Sequence, residues 1–70
     1  MSELEALKAH RVAIVAQWRE QTERLRGMEA RGETGGAAYL AAVLRWRRAL
    51  DAMLLADAAV AALSRRKRAA

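Results

Sequence analysis

Few residues of this 70-residue chain could do chemistry, and their spacing assembles no reactive site. His10 is the single histidine and cysteine is absent. A lone imidazole without thiolates cannot complete the four-ligand shell of a structural zinc site, and disulfides are excluded outright. Glu20, Glu23, Glu29, Asp51 and Asp57 are scattered among arginines at helical spacings that suit surface ion pairs. They supply no nucleophile held by a base and an orienting group. The glycines of Arg31-Gly-Glu-Thr-Gly-Gly36 lack the preceding strand and the following Lys-Ser/Thr that a phosphate-cradling loop requires. The reading is therefore of a non-enzyme, with no catalytic, cofactor-binding or metal-ligating residue and no cofactor.

Arginine next to aromatic rings is the remaining chemical signal. Trp46 lies between Arg45 and Arg47, and Trp18 precedes Arg19, a pairing that can stack bases and hold phosphates. The chain carries 13 basic and 8 acidic residues, a formal charge of +5. Arg65, Arg66, Lys67 and Arg68 hold most of that excess in a basic tail over residues 65–70, whereas a nucleic-acid-binding domain spreads it along a docking face. The tail reads as a cation cluster at a helix end, a solvated frayed end, or a phosphate-binding arm.

The elements that position these residues are helical. Ala, Leu, Arg and Glu dominate, and proline and phenylalanine are missing. Ser2 followed by Glu5 fits a capping box that opens helix 1. Leu4, Leu7, Ile14, Trp18, Leu25 and Met28 then recur on alternating three- and four-residue steps, with Arg11 and Gln21 filling the gaps in the stripe. Arg11 is expected to lay its aliphatic stem along the edge of this seam. Gly27 weakens the last turns. The glycine-rich stretch reverses the chain, with Gly32 suited to a left-handed position and Thr34 to the N-cap of the next helix. Helix 2 carries Tyr39, Val43, Trp46, Leu50, Met53 and Val60 on one stripe, interrupted by Asp57.

The expectation is an all-α protein of one domain, residues 1–70, folded as an antiparallel two-helix hairpin about 40 Å long, with coiled-coil-like helices at about 2–31 and 36–66. Its core should be Leu7, Ile14, Trp18, Leu25, Tyr39, Val43, Trp46, Leu50 and Met53. Leu40, Leu44, Leu54 and Leu55 on helix 2, and Val12 and Val15 on helix 1, fall outside the stripes. A helix apolar over so wide an arc needs cover on more than one side, so these six residues are predicted to face a protein partner or a second copy. No apolar run approaches the roughly 20 residues of a membrane span, and the acidic Met1-Ser-Glu-Leu-Glu start is unlike a signal peptide; a cytoplasmic location is expected.

Arg31-Gly32, a short spacer, Tyr39, and then Ala49-Leu50 followed by Asp51 resemble the small co-chaperones of bacterial type III secretion, the YscE, PscE and SsaE group. The match covers residues 28–63. The spacer and the step from Tyr39 to Leu50 are each about one residue longer than in that group, and the arginine-rich tail lies outside its pattern. The resemblance implies a helical hairpin that stabilises a larger, tetratricopeptide-like chaperone, the pair holding the needle subunit monomeric in the cytoplasm before export. Tyr39, Leu50 and neighbouring apolar positions would support the hairpin and that contact. The alternative is a homodimeric four-helix bundle that binds RNA or DNA through its arginines, Arg45, Arg48 and the tail; a third reading is an antitoxin or another small regulator.

Overall fold

A computed structural model describes residues 2–69, so Met1 and Ala70, the ends of the expected domain and tail, lie outside the described residues. Helix α1 spans Glu3–Ala30 and α2 spans Ala37–Ala69. Ser2 caps α1: its hydroxyl accepts the Glu5 amide at 3.2 Å while the Glu5 carboxylate accepts the Ser2 amide at 3.4 Å. The box satisfies donors that the first helical turn would otherwise leave unpaired.

At its other end α1 continues through Gly27 to Ala30 and closes on Gly32, whose φ of 73° is the left-handed conformation that glycine adopts freely. The Gly32 amide donates to the Glu29 carbonyl at 3.1 Å and the Glu33 amide to the Met28 carbonyl at 2.8 Å. This is the paired Schellman pattern, which consumes two orphan carbonyls and turns the chain out of the helix. Arg31 clamps the turn through two bonds to Glu33, at 3.1 and 3.2 Å. Accepting those bonds, with its negative charge alongside, Glu33 raises the arginine's pKa further above its ordinary value.

Thr34 does not cap α2 as the sequence suggested. Gly36 has a φ of 95°, which no residue inside a right-handed helix can hold, so the helix cannot extend back to a cap at Thr34. It begins at Ala37, and the Gly36 carbonyl accepts the first helical bond from Leu40 at 3.2 Å. At the far end α2 runs past the expected stop near residue 66 and takes Arg65 to Arg68 into the helix. Arg66, Lys67 and Arg68 sit in the last turn, where cations favour the negative end of the helix dipole.

The helices pack antiparallel along their length. Arg11, the polar break in the first stripe, forms an ion pair with Asp57, the break in the second, rather than lying along the seam edge by its stem alone. Two polar residues that each interrupt an apolar seam thus answer one another. A second polar link crosses the middle of the hairpin: Trp46 Nε1 donates to Thr22 Oγ1 at 3.0 Å, and that hydroxyl donates to the Trp18 carbonyl at 2.9 Å. The step from Arg11 to Thr22 equals the step back from Asp57 to Trp46, as one fixed antiparallel register requires. The Trp18 indole nitrogen and Gln21 Oε1 are buried near this link without a protein partner.

The expected core residues Leu7, Ile14, Trp18, Leu25, Tyr39, Val43, Trp46, Leu50 and Met53 are each only half-buried. The buried residues among those described are Ala42 and Ala56, at 2% and 8% exposure. Written as heptads with Tyr39 at position a, α2 places Tyr39, Trp46, Met53 and Val60 at a, and Ala42, Ala49, Ala56 and Leu63 at d. The stripe read from the large residues marks one side of the seam; alanines fill its centre.

Candidate protein interface

Two helices leave most of each other uncovered. The molecule measures 53 × 16 × 15 Å, with a radius of gyration of 15.9 Å, against about 11 Å for a globular chain of this length. Its accessible surface is 5253 Å², whereas a folded monomer of 7.7 kDa exposes about 4300 Å². The excess, on the order of 900 Å², approximates what one partner buries in a standard protein interface.

The large apolar side chains most exposed among the described residues are Leu55 at 73%, Val12 at 70%, Leu40 at 59%, Leu54 at 54% and Leu44 at 51%. Five of the six residues expected on a partner face are therefore open to solvent. Val15 is not: it is half-buried. It lies one turn along from Val12 on α1.

The five residues do not form one patch. Leu40 and Leu54 occupy heptad position b of α2 and Leu44 position f, roughly 150° around the helix from the a and d positions that meet α1. They make a row along the back of α2. Leu55, one position round, borders a shallow groove on the flank of the hairpin with Leu7, His10, Ile14 and Ala59. Val12 stands on α1 beside Arg11, Val15, Ala16 and Arg19.

Charges divide the row on α2. Arg47 and Asp51 occupy the b and f positions between Leu44 and Leu54, and they pair with each other at 3.3 Å. Sequence reasoning set the leucines apart from the stripe but did not place these two among them, although the four- and three-residue steps Leu40, Leu44, Arg47, Asp51, Leu54, Ala58 and Ala61 were there to be counted. This is a second heptad seam, on the side of α2 that α1 leaves bare. A helix with seams on two faces belongs between two neighbours.

The arginines are arranged differently. Arg45 and Arg48 border a flank groove that also contains Glu20, Gln17 and Gln21, so the positive charge there is partly answered. Trp46 spends its indole N–H on Thr22 across the seam, and half-burial there leaves its face poorly placed to stack a base. Arg65 to Arg68 gather at one pole of the rod. Among the described residues, no group of three His, Cys, Asp or Glu side chains could hold a metal ion, and no helix is long and apolar enough to cross a membrane.

Comparison with known proteins finds no matching family model, no similar curated protein and no similar solved structure.

Proposed function

We propose that this protein is a protein-binding adaptor: a helical hairpin that docks the back of α2, through Leu40, Leu44 and Leu54, against the helical surface of a partner. The observation that carries the reading is the row of half-exposed leucines on the side of α2 away from α1, in a molecule whose surface exceeds the globular expectation for its mass by about a fifth. Fully burying a leucine is worth about 1.5–3 kcal/mol. Covering the exposed half of each therefore contributes about 1 kcal/mol per residue, in a chain whose own core consists of half-buried side chains and two alanines. The partner should be helical because the row follows a heptad, a spacing matched by another helix and not by a strand.

The most specific form of this proposal follows the resemblance to the YscE-type co-chaperones: a hairpin that stabilises a larger tetratricopeptide-like chaperone and so helps to hold a secretion needle subunit monomeric in the bacterial cytoplasm. The apolar back of α2 is the kind of surface such a contact needs. Nucleic acid binding through the arginines is the competing reading.

The test is affinity purification from the native cell with wild-type protein and with the double variant Leu40→Asp/Leu44→Asp. The expected result is a partner protein held by wild type, lost with the variant, and indifferent to nuclease and to salt raised to about 200 mM. Retention of nucleic acid that falls steeply over the same salt range would replace the proposal with its competitor.

A further inference from the structure

We propose that, in the protein on its own, the back of α2 is covered by the same face of a second copy, in an antiparallel homodimer with its two-fold axis at the level of Ala49. The inference rests on the adaptor reading above and names an occupant for that face.

The argument comes from the order of side chains in the second seam. When two copies of α2 run antiparallel, position b of one meets position f of the other. With the axis beside Ala49, Leu44 meets Leu54 of the partner, Leu40 meets Ala58, Ala37 meets Ala61, and Arg47 meets Asp51. The two-fold axis repeats each contact. Every charge in the seam then has an opposite charge facing it, and the two intrahelical Arg47–Asp51 pairs become one four-membered network at the centre, flanked by leucines on both sides.

Other arrangements of the same two faces fail. Slipping by one heptad in one direction sets Leu40 against Asp51 and Leu44 against Arg47; slipping in the other sets Asp51 against Leu54. Each slip desolvates a charge against a leucine. Parallel pairing sets Arg47 on Arg47 and Asp51 on Asp51, and like charges in contact are repulsive. One register is therefore selected by the positions of two charged residues. The seam is about 36 Å long from Ala37 to Ala61 at helical rise, and the surplus surface of each hairpin, on the order of 900 Å², matches the roughly 800 Å² per partner of a stable interface. The product is a layer of four antiparallel helices, with α1 outermost on each side and the basic ends of the two α2 helices at opposite poles.

Sedimentation equilibrium tests this with the full chain, using wild type, Leu44→Asp, Arg47→Asp, Asp51→Arg, and an equimolar mixture of the two charge variants, with helicity checked by circular dichroism. All three positions are exposed and off the intramolecular seam, so the hairpin itself should persist. Wild type is expected to be dimeric at tens of micromolar, and each charge variant to dimerise at least tenfold more weakly because like charges now meet across the axis. The mixture should regain wild-type affinity as a heterodimer, since each variant then faces its complement.

A dimer sensitive to Leu44→Asp but indifferent to the charge variants would overturn the register while leaving the face an interface. Wild type that stays monomeric to about 200 µM, a Kd too weak to matter in a cell, would overturn self-pairing and leave the adaptor reading to its own purification test. A dimer unaffected by Leu44→Asp would overturn both. Nucleic acid travelling with the sedimenting protein would assign the association to the arginines instead, and would also overturn the proposal.

Discussion

Trp46→Ala should remove about 3 kcal/mol of the hairpin's stability at 25 °C. Trp46 is the largest side chain of α2 in the seam, and its N–H is half of the polar link that ties α2 to Thr22. Truncating a core tryptophan costs about 3–5 kcal/mol, and the half-burial of Trp46 places the loss near the lower end. A domain of this length commonly has a total stability of only about 4–10 kcal/mol, and this one has a thin core. Trp46→Phe separates the two contributions: it keeps most of the ring, removes the donor and should cost about 1 kcal/mol. Urea unfolding followed by circular dichroism, at one fixed protein concentration, reads both. An alanine variant that loses less than about 1 kcal/mol would mean that Trp46 does not hold the helices together.

Ala56→Leu should be nearly as damaging, although it adds apolar volume. Ala42 and Ala56 are the buried residues of the seam among those described. A leucine there must push the helices apart, which opens the half-buried contacts on either side, and overpacking of this kind costs about 1–3 kcal/mol. Ala9→Leu on the exposed back of α1 is the control, with an expected change within about 0.5 kcal/mol. A stabilised Ala56→Leu protein would place the centre of the seam elsewhere and require α2 to be rotated.

These two substitutions mark the boundary of what the sequence discloses. The capping box, the reversal at Gly32 and the half-buried large residues were legible because each depends on local chemistry or on a period that large side chains make visible. The central alanines were not, since alanine is apolar, abundant in this chain and neutral on any face of a helix. Only the distance to the opposite helix tells Ala56, which is buried, from Ala58, which is not. Thr34 looked like a cap because threonine caps helices well; the positive φ of Gly36, a backbone property with no side-chain signature, moved the start downstream.

The polar cross-links have a related history. Arg11 and Asp57 could each be recognised as a break in a stripe, but that they meet follows from the register of the hairpin, which no local signal fixes. Thr22 drew no notice in the sequence because its role exists only opposite Trp46. On the candidate face, the leucines stood out by their size and their displacement from the stripe. Arg47 and Asp51 looked like an ordinary pair at helical spacing, and their position between leucines on the bare side of α2 became evident only once the side facing α1 was known.

The most direct test of the central idea, that this hairpin is completed by association through the back of α2, is the melting temperature of the isolated protein as a function of its own concentration. Binding to the folded state alone makes that temperature rise with concentration, so an increase of several degrees over two decades is expected for wild type and a flat response for Leu44→Asp. A wild-type transition that is sharp, lies well above about 60 °C and does not move with concentration would describe a self-sufficient monomer and contradict the account.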